Sequence, residues 1–424
     1  MSETSVPHVI VHDYAGHPFT SEFARALAGR GWRVTYIYFA GDEGPKGHNT
    51  RLADDPDTMA WLPLAIDSAY SKSNLFQRRQ GDIAYGKLLA ALVAQIRPDI
   101  VLSGNAPTEC QEFLVRACAQ IGTPFLYWCQ DFYSIAATRI LSRKLPGLGQ
   151  LIGAYYTFLE RRQMRNAAHV IHITDAFLEV TDRWGIPRDR VSVIPNWGVI
   201  DKIPLLPRDN DWAARTGLTK ARRVVYSGTL ANKHNPDFLA QLAENARDDL
   251  DVIVVGFGVG AEQLAKRSAD LPNLKVMPLQ LFADLPQVLA SADVLVAVIE
   301  AEAGEFSVPS KVLSYLCAGR PIVLAAQGDN LAARIIQQAG AGLVVAPDDK
   351  MGFVSAVQSL LSDETTSRRM GQAGRDYAER NFSLAHVTNT FEKLLTSVMA
   401  AHSVQTAALI RYGCCQSATR VRTL

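Results

Sequence analysis

With 424 residues the chain exceeds what a single hydrophobic core fills, roughly 250–300 residues, so two domains are expected. Hydrophobic residues make up 48% and charged residues 20%, the balance of a globular enzyme or binding protein. The formal net charge of +1 gives no global field, and there is no long basic arm, zinc-ligand spacing or aromatic RNA-reading motif, so nucleic acid is not an expected partner.

The first β-rich run is HVIVHDY (8–14), followed by a glycine-bearing turn, AGHPF, an amphipathic helix with Phe23 and Leu27, and a second run, WRVTYIYF (32–39). Strand, turn, helix and strand in this order form a βαβ unit with a right-handed connection. Further units follow: helix 82–96 into DIVLSG (99–104), helix 108–121 into PFLYWCQD (124–131), and helix 150–166 into AHVIHIT (168–174). Such alternation predicts a parallel sheet covered on both faces.

Pro195, Pro204 and Pro207 mark a linker, after which the pattern restarts at RRVVYSGTL (222–230) and LDVIVVGFG (250–258) and continues to AGLVVAP (341–347). The fold class is therefore α/β, with two doubly wound, Rossmann-like sheets facing across a cleft. The expected partition is 1–200, 201–384, a helix at 385–400 that crosses back to the first domain, and a tail, 401–424, that is poorly ordered for want of any sustained period.

The six cysteines are scattered without a CxxC, which suits reduced thiols in a cytoplasmic protein. No window approaches ~18 uncharged apolar residues and no N-terminal stretch has a signal-peptide layout, so the chain is expected not to cross a membrane. From 139 to 165, Arg139, Arg143, Lys144, Arg161, Arg162 and Arg165 surround apolar and aromatic residues. Two readings stand for this segment. It is either an ordinary helix with a solvated basic face and a buried apolar one, or a patch that rests on anionic lipid and collects a lipid-linked acceptor.

Three turns fall at predicted carboxyl ends of strands in the second sheet. In SGTLANKH (227–234), Gly228 lets backbone N–H groups approach a ligand and Lys233 adds a cation near a helix N-terminus, an arrangement suited to phosphate. In VGFG, Gly256, Phe257 and Gly258 open a helix, but no acidic residue follows ~20 positions on, so this turn suits a mononucleotide or tight packing instead of a dinucleotide. In VPSKVLSYLCAGRPIV, Pro309, Ser310 and Lys311 stand at the mouth of a helix with Glu305 just before it. Free N–H groups, a hydroxyl and an ammonium there make an anion site, or else a plain N-cap beside a solvated lysine.

AHVIHITDAFLEVTDRWGIPRDRVSVIPNWGVID, the glycine-x4-lysine turn from Gly228 to Lys233, the VGFG turn and VPSKVLSYLCAGRPIV together resemble the retaining, GT-B-fold glycosyltransferases of family 4 (glycosyl transferases group 1), over most of residues 8–395. Within that family the chain looks most similar to bacterial enzymes that build exopolysaccharide, capsule or O-antigen units. The resemblance implies an acceptor-binding N-terminal domain and a C-terminal domain that binds a nucleoside diphosphate sugar. The sugar would pass with retention to a saccharide or lipid-linked acceptor, on the cytoplasmic side or peripherally on the inner face of the plasma membrane. It carries Gly16 and His17 over as residues of the phosphate-facing turn, and Asp131 of QDFY as the residue near the reacting sugar. Lys233, N–H groups and Lys311 would stabilise the departing diphosphate, with no metal or other cofactor required.

The chain departs from the family in one place. Many members carry two glutamates eight positions apart in the last motif; here Ser314 stands at the second position and Glu305 is not at the matching offset. A serine holds a ribose hydroxyl more weakly than a carboxylate does. Asp-x-Asp strings at 55–57, 209–211 and 249–251 read as solvated turns. Two other readings of the fold stay open, a nucleotide-sugar epimerase and a non-catalytic nucleotide-sugar-binding scaffold.

Overall fold

The computed structural model describes residues 6–41, 46–66, 75–231, 234–299 and 311–420, with backbone alone for 75, 144 and 405–420. The first sheet is built from β1 (His8–Asp13), β2 (Arg33–Phe39), β3 (Met59–Leu64), β4 (Ile100–Gly104), β5 (Phe125–Cys129), β6 (His169–His172) and β7 (Val191–Val193). All its pairs are parallel, in the order β3-β2-β1-β4-β5-β6-β7. The second comprises β8 (Arg222–Thr229), β9 (Leu250–Phe257), β10 (Leu274–Met277), β11 (Val294–Val298), β12 (Ile322–Ala325) and β13 (Gly342–Val345), again all parallel, in the order β10-β9-β8-β11-β12-β13. Strands such as β4, β5 and β11 are buried at every position, which is why they read as unbroken apolar runs.

The strand order reverses direction between β1 and β4 in one sheet and between β8 and β11 in the other. In doubly wound sheets ligands bind in the crevice at such a reversal, beyond the carboxyl ends of the strands. The helices that matter for the site are α1 (Pro18–Ala28) after β1, α2 (Leu75–Ile96) before β4, α3 (Thr108–Ile121) after it, and α4 (Tyr133–Lys144) with α5 (Leu148–Asn166) after β5. Shorter elements are α6 (Leu178–Arg183), α7 (Asp211–Arg215), α8 (Asp237–Glu244), α9 (Val259–Arg267) and α10 (Leu285–Ala290). Then come α11 (Lys311–Cys317), α12 (Leu331–Ala339), α13 (Lys350–Ser362), α14 (Glu364–Asn381) and α15 (Leu384–Arg420).

Helix α15 lies along α1. Glu392 accepts from Trp32 Nε1 at 2.9 Å and pairs with Arg30 at 2.9 Å, while Phe391 joins an aromatic cluster with Phe23, Trp128 and Trp197. The helix does not end near residue 400 but runs to Arg420, so the expected unstructured tail is helical as far as that residue. The stretch holds no proline, and its first glycine is Gly413, so nothing in the backbone chemistry stops the helix earlier. Arg375 Nη1 donates to the carbonyls of Ile203 and Cys317, both at 2.8 Å, tying the interdomain linker to α11 and α14.

Two of the Asp-x-Asp strings are not solvated turns. Asp55 is buried and accepts from Arg25 Nε at 2.7 Å and from Trp61 Nε1 at 2.9 Å; Asp251 is fully buried against Lys275 at 3.0 Å. Both are structural ion pairs, because an unpaired buried carboxylate would be too costly.

Candidate active site

A cleft of about 970 Å³ lies between the two sheets. From the N-terminal side it is lined by His17, Asn105, Gln130 and Asp131, and from the C-terminal side by Gly228, Thr229, His234, Lys311 and Ser314. Both strand-order reversals therefore open into one space.

On the N-terminal wall the anchor is Asp13, the last residue of β1 and fully buried. Its carboxylate accepts from the His17 backbone N–H (2.7 Å), His17 Nδ1 (3.1 Å), Thr20 Oγ1 (2.6 Å) and Asn105 Nδ2 (2.9 Å). Burial alone would raise its pKa, but the imidazole of His17 and the donors around it hold the carboxyl well below the usual carboxylate range. Asp13 thus fixes the His17 ring at the start of α1. Asn105, just beyond β4, adopts a left-handed conformation (φ 55°), which asparagine tolerates better than most residues and which lets it join Asp13.

Asp131 is exposed in the cleft, between β5 and α4. The start of α4 is held from below by Glu160, whose buried carboxyl accepts from the N–H groups of Tyr133 (3.0 Å) and Ser134 (3.1 Å) and from Ser134 Oγ (2.5 Å). Burial pushes Glu160 up to about 7 in spite of these donors. Asp82 lines the same wall; burial pushes it up to about 6, against Arg78 and the Tyr14 hydroxyl, which donates to it at 2.9 Å.

On the C-terminal wall Lys311, first residue of α11, reaches the carboxyl end of β8. Its ammonium lies 4.0 Å from the centre of the Tyr226 ring and bonds the Tyr226 hydroxyl and the Thr229 carbonyl (3.2 Å). Tyr315 reinforces the same junction, accepting from Ser227 N–H at 2.8 Å and donating to the Ser227 carbonyl at 3.1 Å. Gly228 has φ +123°, which side chains rarely adopt, and a Cβ there would sit 3.3 Å from Lys311 Cε. Gly256 is required for packing: a Cβ would come within 2.3 Å of the Gly228 carbonyl oxygen.

Of the residues singled out from sequence, His17, Asp131, Gly228, Lys311 and Ser314 line this cleft. Gly16 forms the turn before His17, its carbonyl accepting from Asn49 Nδ2 at 2.8 Å, and Gly256, Phe257 and Gly258 pack behind the Gly228 turn, outside the lining. Lys233, Glu305, Pro309 and Ser310 lie outside the described residues.

Sequence reasoning missed Asp13, Asn105 and an amide pair. Asn196 Nδ2 donates to Gln130 Oε1 at 2.5 Å, which leaves Gln130 Nε2 and Asn196 Oδ1 buried and without a partner among the described residues. Turning both amides around leaves the same pattern, one donor beside one acceptor. A hydroxyl, which donates and accepts at once, is complementary to that pattern. The signals were the polar residues that end the apolar runs FLYWCQ and VSVIPN.

Residues 16–197 match a family described as glycosyl transferase 4-like domain, and residues 221–363 match glycosyl transferases group 1. The chain belongs to the group 1 glycosyl transferases. No curated protein sequence matches it. Among solved structures, sucrose-phosphate synthase from Thermosynechococcus elongatus is 14% identical, with a TM-score of 0.73 over 93% of this chain and 100% of that one. HepE of Anabaena, solved with UDP-glucose, is 16% identical with a TM-score of 0.68 over 92% and 99%. WaaG, described as a glycosyltransferase involved in lipopolysaccharide biosynthesis, is 15% identical with a TM-score of 0.64 over 92% and 100%. At these identities the likeness is one of fold, the GT-B arrangement of two sheets across a cleft.

For a group 1 glycosyl transferase the amide pair gives a direct prediction. Asn196→Ala is expected to raise the KM for the donor or the acceptor roughly tenfold, the worth of about one neutral hydrogen bond, with a smaller change in kcat. Steady-state transfer kinetics with each substrate varied in turn check this; unchanged KM values for both would remove the pair from the site.

Proposed function

We propose that the protein transfers a sugar from a nucleoside diphosphate sugar, UDP- or GDP-linked, to a saccharide or lipid-linked saccharide acceptor with retention of anomeric configuration. The acceptor role and the peripheral membrane contact through 139–165 belong to the N-terminal domain, the cellular setting is the cytoplasmic side, and the process is surface-polysaccharide assembly. The observation that carries this reading is Lys311 held at the Gly228–Thr229 end of β8, lining one cleft with His17 and Asp131. An ammonium and backbone N–H groups there stabilise the charge that grows on the diphosphate as the bond to the anomeric carbon breaks, without a metal. Asp131 accepts from the attacking acceptor hydroxyl, and Ser314 bonds the ribose. HepE, described with UDP, with UDP and glucose and with UDP-glucose, favours uridine as the base.

The test is thermal stabilisation by UDP, GDP and ADP. A bound nucleotide at about 100 times its Kd stabilises by ~2.7 kcal/mol, and the expected ranking puts UDP first. The matching nucleotide sugar is then incubated with and without acceptors, and the product anomer is read by NMR. Stabilisation by none of the three would end the nucleotide-sugar reading; an epimer formed without acceptor would replace the transferase with an epimerase.

A further inference from the structure

The α4–α5 hairpin carries apolar residues on two faces. One face of α5 is packed: Gly149 and Gly153 lie so close to α4 that a Cβ would meet the Leu141 carbonyl oxygen at 2.1 Å and Thr138 Oγ1 at 2.4 Å, and Tyr156, Leu159 and Glu160 are buried beside them. The other face shows Leu148, Leu151, Tyr155 and Phe158 at spacings of three, four and three residues, a continuous helical stripe, and all four are exposed, Leu151 at 71% and Phe158 at 60%. The apolar residues of this segment are thus not all on its inner face. Exposed Ile140 of α4, Leu145 just after it and Phe76 of α2 lie on or beside the same helices. A soluble surface rarely leaves so much contiguous apolar area to water unless something covers it.

Two further observations say what covers it. Arg143 and Arg165 are exposed on the same two helices and Arg139 is half-buried there, Arg165 donating from Nε to the Trp184 carbonyl at 3.0 Å, so the helices that carry the stripe also carry cations. Phe76, Ile140, Leu145 and Ile152 also line the cleft itself, so the apolar surface runs inward as a trough until it meets Arg78, Arg79 and Asp131. Among the described residues no helix is long and apolar enough to cross a membrane, so the contact is a surface one.

We propose that the α4–α5 face seats on an anionic lipid bilayer and that the trough admits the hydrocarbon chain of a membrane-borne acceptor, leaving its polar head in the cleft beside Asp131. The inference deepens the transferase reading and rests on it for the word acceptor. Apolar side chains enter the interface, the arginines meet anionic headgroups, and the acceptor slides from the bilayer into the site without passing through water.

Flotation of the full chain with phosphatidylcholine vesicles containing about 30% phosphatidylglycerol tests the surface. The protein should float with these vesicles and stay at the bottom with phosphatidylcholine alone. Leu151→Glu combined with Phe158→Glu, both at exposed positions, should cut binding at least ~100-fold while UDP stabilisation is unchanged. The trough is probed with dodecyl phosphate below its micelle concentration. Saturable binding, weakened at least ~10-fold by Ile140→Trp and absent for inorganic phosphate, is expected. Failure to float, equal flotation of the double variant, dodecyl phosphate binding no better than inorganic phosphate, or a dimer that the double variant dissociates would each overturn the proposal. A protein that floats but is not stabilised by any nucleotide would sink the transferase reading instead.

Discussion

Lys311→Met is expected to lower kcat for sugar transfer about 10²–10³-fold, the usual worth of one preorganised charge donor at a site of developing negative charge. Methionine keeps the unbranched stem that lies along the Gly228 turn and removes the ammonium that bonds Thr229 and the Tyr226 hydroxyl. The charge on the diphosphate is larger when the anomeric bond is breaking than when the donor is merely bound. UDP stabilisation should therefore fall by much less than turnover, about tenfold in Kd. Arginine is not a conservative replacement here, because a larger planar fork does not reproduce the compact ammonium that bonds both the Tyr226 hydroxyl and the Thr229 carbonyl. Turnover within threefold of the unchanged protein, with fold confirmed by circular dichroism, would show that the leaving group is held elsewhere, with Lys233 of the same turn the next residue to replace.

The two sheets were legible because parallel strands buried on both faces are written as short apolar runs, each closed by a glycine or polar turn and followed by a helix. β3 was not, because Met59–Leu64 is an edge strand that carries Pro63 and is buried only at Met59, so it lacks the signature of a strand covered on both faces. α4 is hidden for another reason: its arginines and those of α5 form one basic segment in the sequence, broken only by Pro146-Gly147. In the site, the residues that sequence could find are those marked locally, such as Gly228 at a strand end or Lys311 at a helix start. Asp13 with Asn105, and Gln130 with Asn196, were out of reach because each pair joins residues beyond or at strand ends that lie 92 and 66 residues apart along the chain. Buried ion pairs failed in the same way: nothing local in Asp249-Leu250-Asp251 announces Lys275 on the next strand.

Asp13→Ala should be the most damaging single change in the N-terminal domain, costing about 3–5 kcal/mol of its stability, because each buried donor left unsatisfied costs about 1–3 kcal/mol. Four donors converge on the carboxylate, and alanine leaves the His17 N–H, the His17 ring, Thr20 and Asn105 to find other partners in a buried site. Because the carboxyl is held below its ordinary value, its contribution is fully present above about pH 4 and is lost only as pH falls through the depressed native value. The unchanged protein should accordingly lose stability on the acid side, and Asp13→Asn should flatten that limb while keeping some of the hydrogen bonds. Denaturant melts at several pH values, followed by Trp128 and Trp197 fluorescence in the adjoining core, measure both effects. Transfer activity separates a structural part from a positioning one. With the His17 ring released, kcat should drop even at temperatures where the variant is folded, while UDP, which the proposed function assigns to the opposite domain, should stabilise the protein as before. A variant that loses less than about 1 kcal/mol and retains full turnover would mean that His17 is oriented by the rest of α1, and that the cluster around Asp13 is not what shapes the wall facing Lys311.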